Sequence, residues 1–330
     1  MRFGMIGAGG MARVHASVLN NIPGAEVVAF ADPQMPPAGR ELAQQLGADI
    51  LTSPEELLAR SDIDAVVVAV PTDLHCDLVV QAARAGKHVM CEKPLARTVE
   101  QGERMLQEVE KAGVKLAVGH VVRYFPEYAA ANASVARGDV GVPGVIRATR
   151  GGAFPARPGG WFGDFARSGG VVLDVMIHEL DWLIWTFGAV ERVYARGLLN
   201  AGLPNKDMAM AVLRFRSGAI GYVEATWARP SGFYTSFEIA GSGGLLRSNN
   251  QNTGTLQFSL FPNPDGTPRP APRGAYLHDE PYTVQMRDIV RWFKGGPEPR
   301  TSAADGLEAL KLALAIIESI GTGKAISFAS

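Results

Sequence analysis

A chain of 330 residues that is 47% hydrophobic and 20% charged has enough apolar side chains for a sizeable core, and its length suits two domains. Its net charge of −1 offers no basic footprint for nucleic acid or an anionic membrane surface, so neither is an expected partner. The only two cysteines, Cys76 and Cys91, form no CxxC pair; with no signal-peptide pattern and no apolar stretch that spans a bilayer, a cytoplasmic location is predicted.

Residues 3–6 form a short apolar run that leads straight into Gly7-Ala8-Gly9-Gly10-Met11-Ala12. A helix-compatible stretch, 12–20, follows, and a second apolar run, 27–31, ends at Asp32. Strand, glycine-rich turn, helix, strand and acid come in the order of a dinucleotide site. Gly7 permits the tight turn, Gly9 has no side chain to hold off a pyrophosphate, and small Ala12 lets the helix lie close to the strand. The N–H groups of Gly10 and Met11 would face the phosphates at the helix N-terminus, where the dipole favours anions. Asp32 stands near the spacing of a carboxylate that binds the adenosine ribose hydroxyls, which predicts NAD. Its charge would repel the ribose phosphate of NADP, and no arginine directly follows it.

Further apolar runs at 65–70, 88–91 and 116–119 complete five strands, and their continuous apolar character suits a parallel sheet covered on both faces. Helix starts are marked by Ser53-Pro54-Glu55-Glu56 and Thr98-Val99-Glu100-Gln101, and helix ends by Gly86 and Gly113. Open α/β sheets bind ligands at their strands' carboxyl ends. Pro71, Thr72 and His75 follow the third run, Glu92-Lys93-Pro94 the fourth and His120 the fifth. A lysine there suits a ligand role, although a Glu92–Lys93 ion pair holding a turn gives the same pattern. His75 and His120 read equally well as satisfied loop histidines. His15, inside the first helix, and His88, inside a strand, read as structural; His278, in a late loop, carries no signal.

The pattern changes after about residue 123. Residues 126–137 read as a helix, 151–170 as a glycine- and proline-rich loop with Trp161 and Phe162, and 171–187 as a helix apolar nearly all round. Within that helix Asp174, His178 and Asp181, at i, i+4 and i+7, share one stripe. Buried polar groups need partners, and either a core hydrogen-bond network or a polar cavity meets the need. The loop that enters this helix favours the cavity. Segments 190–200, 208–215, 219–227, 233–240, 244–248 and 255–260 alternate and read as an antiparallel sheet. A proline-rich loop, 262–273, and two helices, 284–293 and 303–319, close the chain. The predicted fold is α/β, with an N-terminal Rossmann doubly wound parallel sheet over 1–123. A C-terminal α+β domain with an open-faced antiparallel sheet covers 124–330. No histidines stand at metal-ligand spacing, so no metal is expected.

These motifs resemble those of the glucose–fructose oxidoreductase / inositol dehydrogenase (Gfo/Idh/MocA) family of sugar and polyol oxidoreductases, over nearly the whole length. The resemblance rests on the glycine turn with His15, on Pro71-Thr72-Asp73-Leu74-His75, and on Gly86-Lys87-His88-Val89-Met90-Cys91-Glu92-Lys93-Pro94-Leu95. It continues through Gly119-His120-Val121-Val122-Arg123-Tyr124 and through Gly169-Gly170-Val171-Val172-Leu173-Asp174, which runs into His178-Glu179-Leu180-Asp181. It implies a Rossmann domain joined to a large open-faced sheet used for oligomerisation, hence a homodimer or homotetramer. It implies that Lys93 touches nicotinamide ribose and substrate hydroxyl, that His178 is the acid/base and that Asp174 supports it. Pro71, Thr72, His75 and Glu92 match cofactor-contacting positions; His120, Arg123, Tyr124, Arg150 and Trp161 fall in segments that reach substrate in relatives.

The implied reaction is hydride transfer between NAD, or less favourably NADP, and a secondary alcohol of a sugar, a cyclic polyol or a related compound. Histidine accepts protons near neutrality, and a lysine charge stabilises a developing alkoxide. Two other readings remain open at this point. One is a glycoside hydrolase that transiently oxidises its sugar with bound NAD, as some relatives do. The other is a non-catalytic nucleotide-binding regulator, against which Lys93, Asp174 and His178 stand, since a sensor needs no proton path.

Overall fold

The computed structural model describes residues 1–155, 160–199, 206–252, 256–263, 265–267 and 280–329. The chain begins β1 (Arg2–Ile6), α1 (Gly10–Leu19), β2 (Glu26–Ala31), α2 (Pro37–Leu46), β3 (Asp49–Leu51) and α3 (Pro54–Leu58). It continues β4 (Ala65–Val68), α4 (His75–Arg84), β5 (His88–Cys91), α5 (Val99–Ala112) and β6 (Leu116–Val118). The six strands are parallel, in the order β3-β2-β1-β4-β5-β6, which is the doubly wound sheet expected from the sequence. The order reverses between β1 and β4, the switch point beside which such sheets bind ligands. Both expected caps form: Ser53 Oγ accepts the Glu56 N–H and Thr98 Oγ1 the Gln101 N–H, each at 3.2 Å. The sequence reading passes over α2 and β3. The edge strand β3 has three half-exposed or exposed residues, too few for a periodicity to show.

Next come α6 (Pro126–Arg137), β7 (Pro143–Ala153), α7 (Phe165–Ser168), a π-helical turn (Val172–Met176) and α8 (Ile177–Phe187). Then follow β8 (Val190–Leu198), β9 (Met208–Phe215), β10 (Ile220–Thr226), β11 (Ala228–Gly241), β12 (Gly244–Asn249) and β13 (Leu256–Leu260). The chain closes with α9 (Pro281–Phe293), α10 (Ala303–Thr322) and β14 (Ile326–Ser327). Most of the proline-rich stretch 262–273, His278 and the expected strand ends at 200 and 255 lie outside the described residues.

The second sheet runs β13-β12-β11-β7-β10-β9-β8-β14. It corrects the expectation of an antiparallel sheet. β7 lies between β10 and β11, parallel to the first and antiparallel to the second, so the sheet is mixed. The sequence hid β7 because Pro143-Gly144 and Gly151-Gly152 at its ends look like loop. One sheet face, with Ile146, Ala148, Leu213, Val223, Ala225 and Ile239, is buried, and the apolar segment 171–187 packs on β7 and β10. Across the other face Tyr194, Val212, Tyr222, Arg147, Glu238 and Arg247 form one cross-strand row.

The chain divides into two compact units, Met1–Tyr124 with Asp279–Leu310, and Phe125–His278 with Lys311–Ser330. The sequence division into 1–123 and 124–330 puts α9 in the second part; the structure puts it in the first. The reason is its apolar face. Met286, Ile289, Val290 and Phe293 enter the core cluster that holds Phe3, Met5 and Phe30. Burying each such side chain contributes about 1.5–3 kcal/mol. Periodicity reveals that α9 has a face to bury, not which core receives it.

Candidate active site

After β1 the chain turns through Gly7, whose φ is +99° and where an added Cβ would lie 2.5 Å from the Ala69 carbonyl oxygen. Only glycine fits there. At Gly9 an added Cβ would meet nothing within 4 Å, which leaves an open cradle at the N-terminus of α1. Gly9 offers no side-chain cap, and helix geometry gives the first N–H groups, from Gly10 and Met11 on, no intrahelical acceptor. Ala12 is fully buried, as close helix–strand packing requires. The Asp32 carboxylate accepts the Ala8 N–H through Oδ2 and the Gln34 N–H through Oδ1, both at 2.8 Å. It is thereby anchored beside the glycine turn and stays partly exposed. An amide-lined cradle fits a pyrophosphate and the fixed carboxylate fits a ribose diol, so these residues fit a dinucleotide.

Glu92, Lys93 and Pro94 follow β5. Glu92 is 6% exposed; its Oε1 lies 2.6 Å from His15 Nε2, and its Oε2 accepts the Lys93 N–H at 3.0 Å. Burial alone would raise the Glu92 carboxyl, but the His15 hydrogen bond and the charges of His15 and Lys93 outweigh it and hold the group below its ordinary value. Lys93 is partly exposed. His75 Nδ1 lies 2.9 Å from the Pro94 carbonyl and Nε2 3.0 Å from the Val70 carbonyl, which ties the loop after β4 to the loop after β5. Burial pushes this imidazole down, against the pull of the carbonyls. Pro71 is partly exposed, and Thr72 and His120 are buried.

Arg123 and Tyr124, which the family resemblance places near substrate, are buried and engaged. Arg123 donates from Nη1 to the Arg300 carbonyl at 2.7 Å and pairs Nη2 with Asp305 at 3.2 Å. The Tyr124 hydroxyl accepts the Arg300 N–H at 3.1 Å. Burial pushes the Tyr124 phenol up to about 12.

In the second unit the helix expected over 171–187 opens with the π-helical turn and only then becomes α8. Val171, Val172, Leu173, Met176, Ile177 and Leu180 are fully buried. Asp174 and His178 are partly exposed, as are Val175 and residues 184–187; Asp181 is buried. Single π-turns recur at functional sites. Arg150, on β7, is buried and donates from Nε to Glu179 Oε2 at 2.6 Å, while the Tyr128 hydroxyl donates to Glu179 Oε1 at 3.1 Å. Sequence reasoning missed Glu179 because the burial of an acid on a helix shows only when the strand carrying its arginine is placed. It also read His15 as merely structural, since its acid partner lies 77 residues away. Trp161 stacks on Phe162 with ring centroids 4.0 Å apart and is partly exposed.

A family model described as the oxidoreductase family, NAD-binding Rossmann fold (Gfo/Idh/MocA) matches residues 1–120, and a Gfo/Idh/MocA C-terminal domain model matches residues 128–247. The chain belongs to the Gfo/Idh/MocA oxidoreductase family. It is 32% identical to the myo-inositol 2-dehydrogenase of Thermotoga maritima, over 97% of this chain and 96% of that one. It is 30% identical to the inositol 2-dehydrogenase of Rhizobium meliloti, over 100% of this chain and 99% of that one. The WlbA dehydrogenase of Bordetella pertussis, solved with NADH and UDP-GlcNAcA, matches with a TM-score of 0.86 at 27% identity, covering 100% of this chain and 99% of that one. As a Gfo/Idh/MocA protein the chain is an NAD-binding oxidoreductase. Among its described residues no helix is long and apolar enough to cross a membrane, and no cluster of three or more His, Cys, Asp or Glu could hold a metal ion.

Proposed function

We propose that this enzyme transfers a hydride from a secondary alcohol of a cyclic polyol or sugar to NAD, with Lys93, His178 and Asp174 as its working side chains. The observation that carries the reading is the pair Asp174 and His178, polar and partly exposed beside the fully buried Val172, Leu173, Met176 and Ile177. Oxidising an alcohol removes a hydride from carbon and a proton from oxygen. When bound, the nicotinamide takes the hydride. The protein handles the proton and the charge. His178 takes the hydroxyl proton, Asp174 orients its imidazole from the preceding turn, and the Lys93 ammonium stabilises the negative charge developing on oxygen. His120 and Trp161 complete the proposed substrate contacts. Arg123 and Tyr124 enter as supports, because their polar groups already hold the chain at Arg300 and Asp305.

The reading includes a homodimer or homotetramer formed through the open face of the second sheet. Tyr194, Val212 and Ile220 are 40%, 44% and 42% exposed, and clustered apolar exposure of this kind is uncommon on monomers. Both cysteines are free and buried, which fits a reducing cytoplasm. Myo-inositol, scyllo-inositol, glucose, levoglucosan and a UDP-linked sugar acid, each offered with NAD while NADH absorbance is followed, test the reaction. NADH should form with at least one, and His178→Ala should slow it by about 10²–10⁴-fold. Failure of every polyol and sugar to reduce NAD would overturn the reading.

A further inference from the structure

The peptide unit that carries Lys93 begins where β5 has ended, so the sheet ladder does not hold its N–H. The Glu92 side chain does, by curling back to accept it. Glu92 is itself held. An ionised carboxylate only accepts, so His15 donates its Nε2–H to Oε1. His15 lies on α1, the helix whose N-terminus forms the phosphate cradle, and it has no exposed surface. Tyr282 of α9 covers its ring edge-on, with centroids 5.9 Å apart. Gly119 backs the carboxylate: an added Cβ there would stand 3.1 Å from Glu92 Cδ and Oε1. Glu92 is thus held between α1 and the backbone of Lys93. His75 grips the same segment from its other end through the Pro94 carbonyl.

We propose that His15 is a positioning residue for Lys93. By clamping Glu92 it fixes the Lys93 peptide, and with it the direction in which the lysine side chain leaves the backbone, relative to the helix that receives the cofactor phosphates. The inference rests on the reading of Lys93 as the group that stabilises the substrate oxygen. The chemistry explains the residue type. A charge-assisted hydrogen bond is short and directional. An apolar residue at position 15 would leave Glu92 a buried, half-satisfied anion that must rotate away or take up a proton.

Amide hydrogen exchange read by mass spectrometry on the intact chain tests this without turnover. In the wild type the Lys93 N–H is protected by Glu92. His15→Leu should speed exchange in the 92–97 peptide about tenfold or more through local opening, and leave the β4 and β6 peptides unchanged. His15→Gln, whose amide nitrogen reaches about where the ring Nε2 stands, should restore protection. Gly119→Ala presses on the carboxylate from its other side and should repeat the effect of His15→Leu, which keeps the test decisive if the leucine variant does not fold. NADH binding, followed by fluorescence, should persist in His15→Gln. Unchanged exchange at 92–97 in His15→Leu and Gly119→Ala would overturn the proposal. So would faster exchange spread over the whole sheet with no rescue by glutamine, the signature of a merely structural histidine. The reading of Lys93 fails separately, if Lys93→Met oxidises substrate at the wild-type rate.

Discussion

On the proposed reading, cofactor choice turns on Asp32. Its carboxylate is fixed by two backbone N–H groups beside the glycine turn, so it is in place to accept ribose hydroxyls and to repel a ribose phosphate. NAD should bind tighter than NADP, and Asp32→Ala should narrow the gap; titration of both dinucleotides checks this, and equal or tighter NADP binding by the wild type would refute it. At His178, the proposed acid/base, the stake is the proton. His178→Ala should lower turnover by about 10²–10⁴-fold while NADH still binds, and Asp174→Asn should cost less because part of the orienting hydrogen bond survives. Wild-type turnover by His178→Ala from about pH 6 to pH 9 would make it a structural histidine. His75 carries a stability prediction. Burial holds its imidazole below the ordinary value of 6.5 in the folded chain. The unfolded chain therefore takes up the proton first as pH falls. Its stability contribution is complete above the unfolded value and drains as pH drops toward the folded one. Urea denaturation between about pH 7.5 and pH 5.5 should show that loss, and His75→Gln should flatten it.

Between elements of the second unit, a buried ion pair links β7 to α8. Arg150 and Glu179 are joined at 2.6 Å with almost no exposure, and Tyr128 of α6 adds its hydroxyl. Burial would lower the Arg150 guanidinium, but the Glu179 charge outweighs it and the group is raised. Removing one partner strands the other's charge. Arg150→Met should cost about 3–5 kcal/mol in urea denaturation, and replacing Tyr128, Arg150 and Glu179 together by Phe, Met and Leu should recover most of it. A triple variant as unstable as the single one would show that packing, not the stranded charge, sets the cost. The same region shows how far periodicity reaches. The i, i+4, i+7 stripe singles out Asp174, His178 and Asp181; the first two are partly exposed and the third is buried. It does not reveal that Asp174 sits in a π-turn, because the choice between i+4 and i+5 bonding depends on how 171–187 seats on the sheet.

Taken as a whole, the chain is not two beads in sequence. Residues 279–310 return to the first unit, where α9 completes its core. A fragment of residues 1–124 should therefore fail to fold cooperatively or bind NADH, and circular dichroism with an NADH titration would show it; a folded, NADH-binding fragment would mean α9 is dispensable. Light scattering at micromolar concentration should find a dimer or tetramer, and Val212→Glu, on the open face of the second sheet, should shift it toward monomer. A strictly monomeric wild type would count against that face as an interface. What the sequence determined by itself is local and periodic. The glycine turn, the acid after β2, the capping Ser53 and Thr98 and the apolar strands of the first sheet depend on neighbouring residues, and each stands where the pattern puts it. The tertiary structure alone decided the partnerships. That β7 lies between β10 and β11, that α9 belongs with α1, that Arg150 meets Glu179 and that His15 holds Glu92 are matters of which surfaces meet. A hydrophobic face records only that it must be buried, and a charged side chain only that it needs a partner. Neither names the partner, because burial and Coulomb attraction are indifferent to sequence separation.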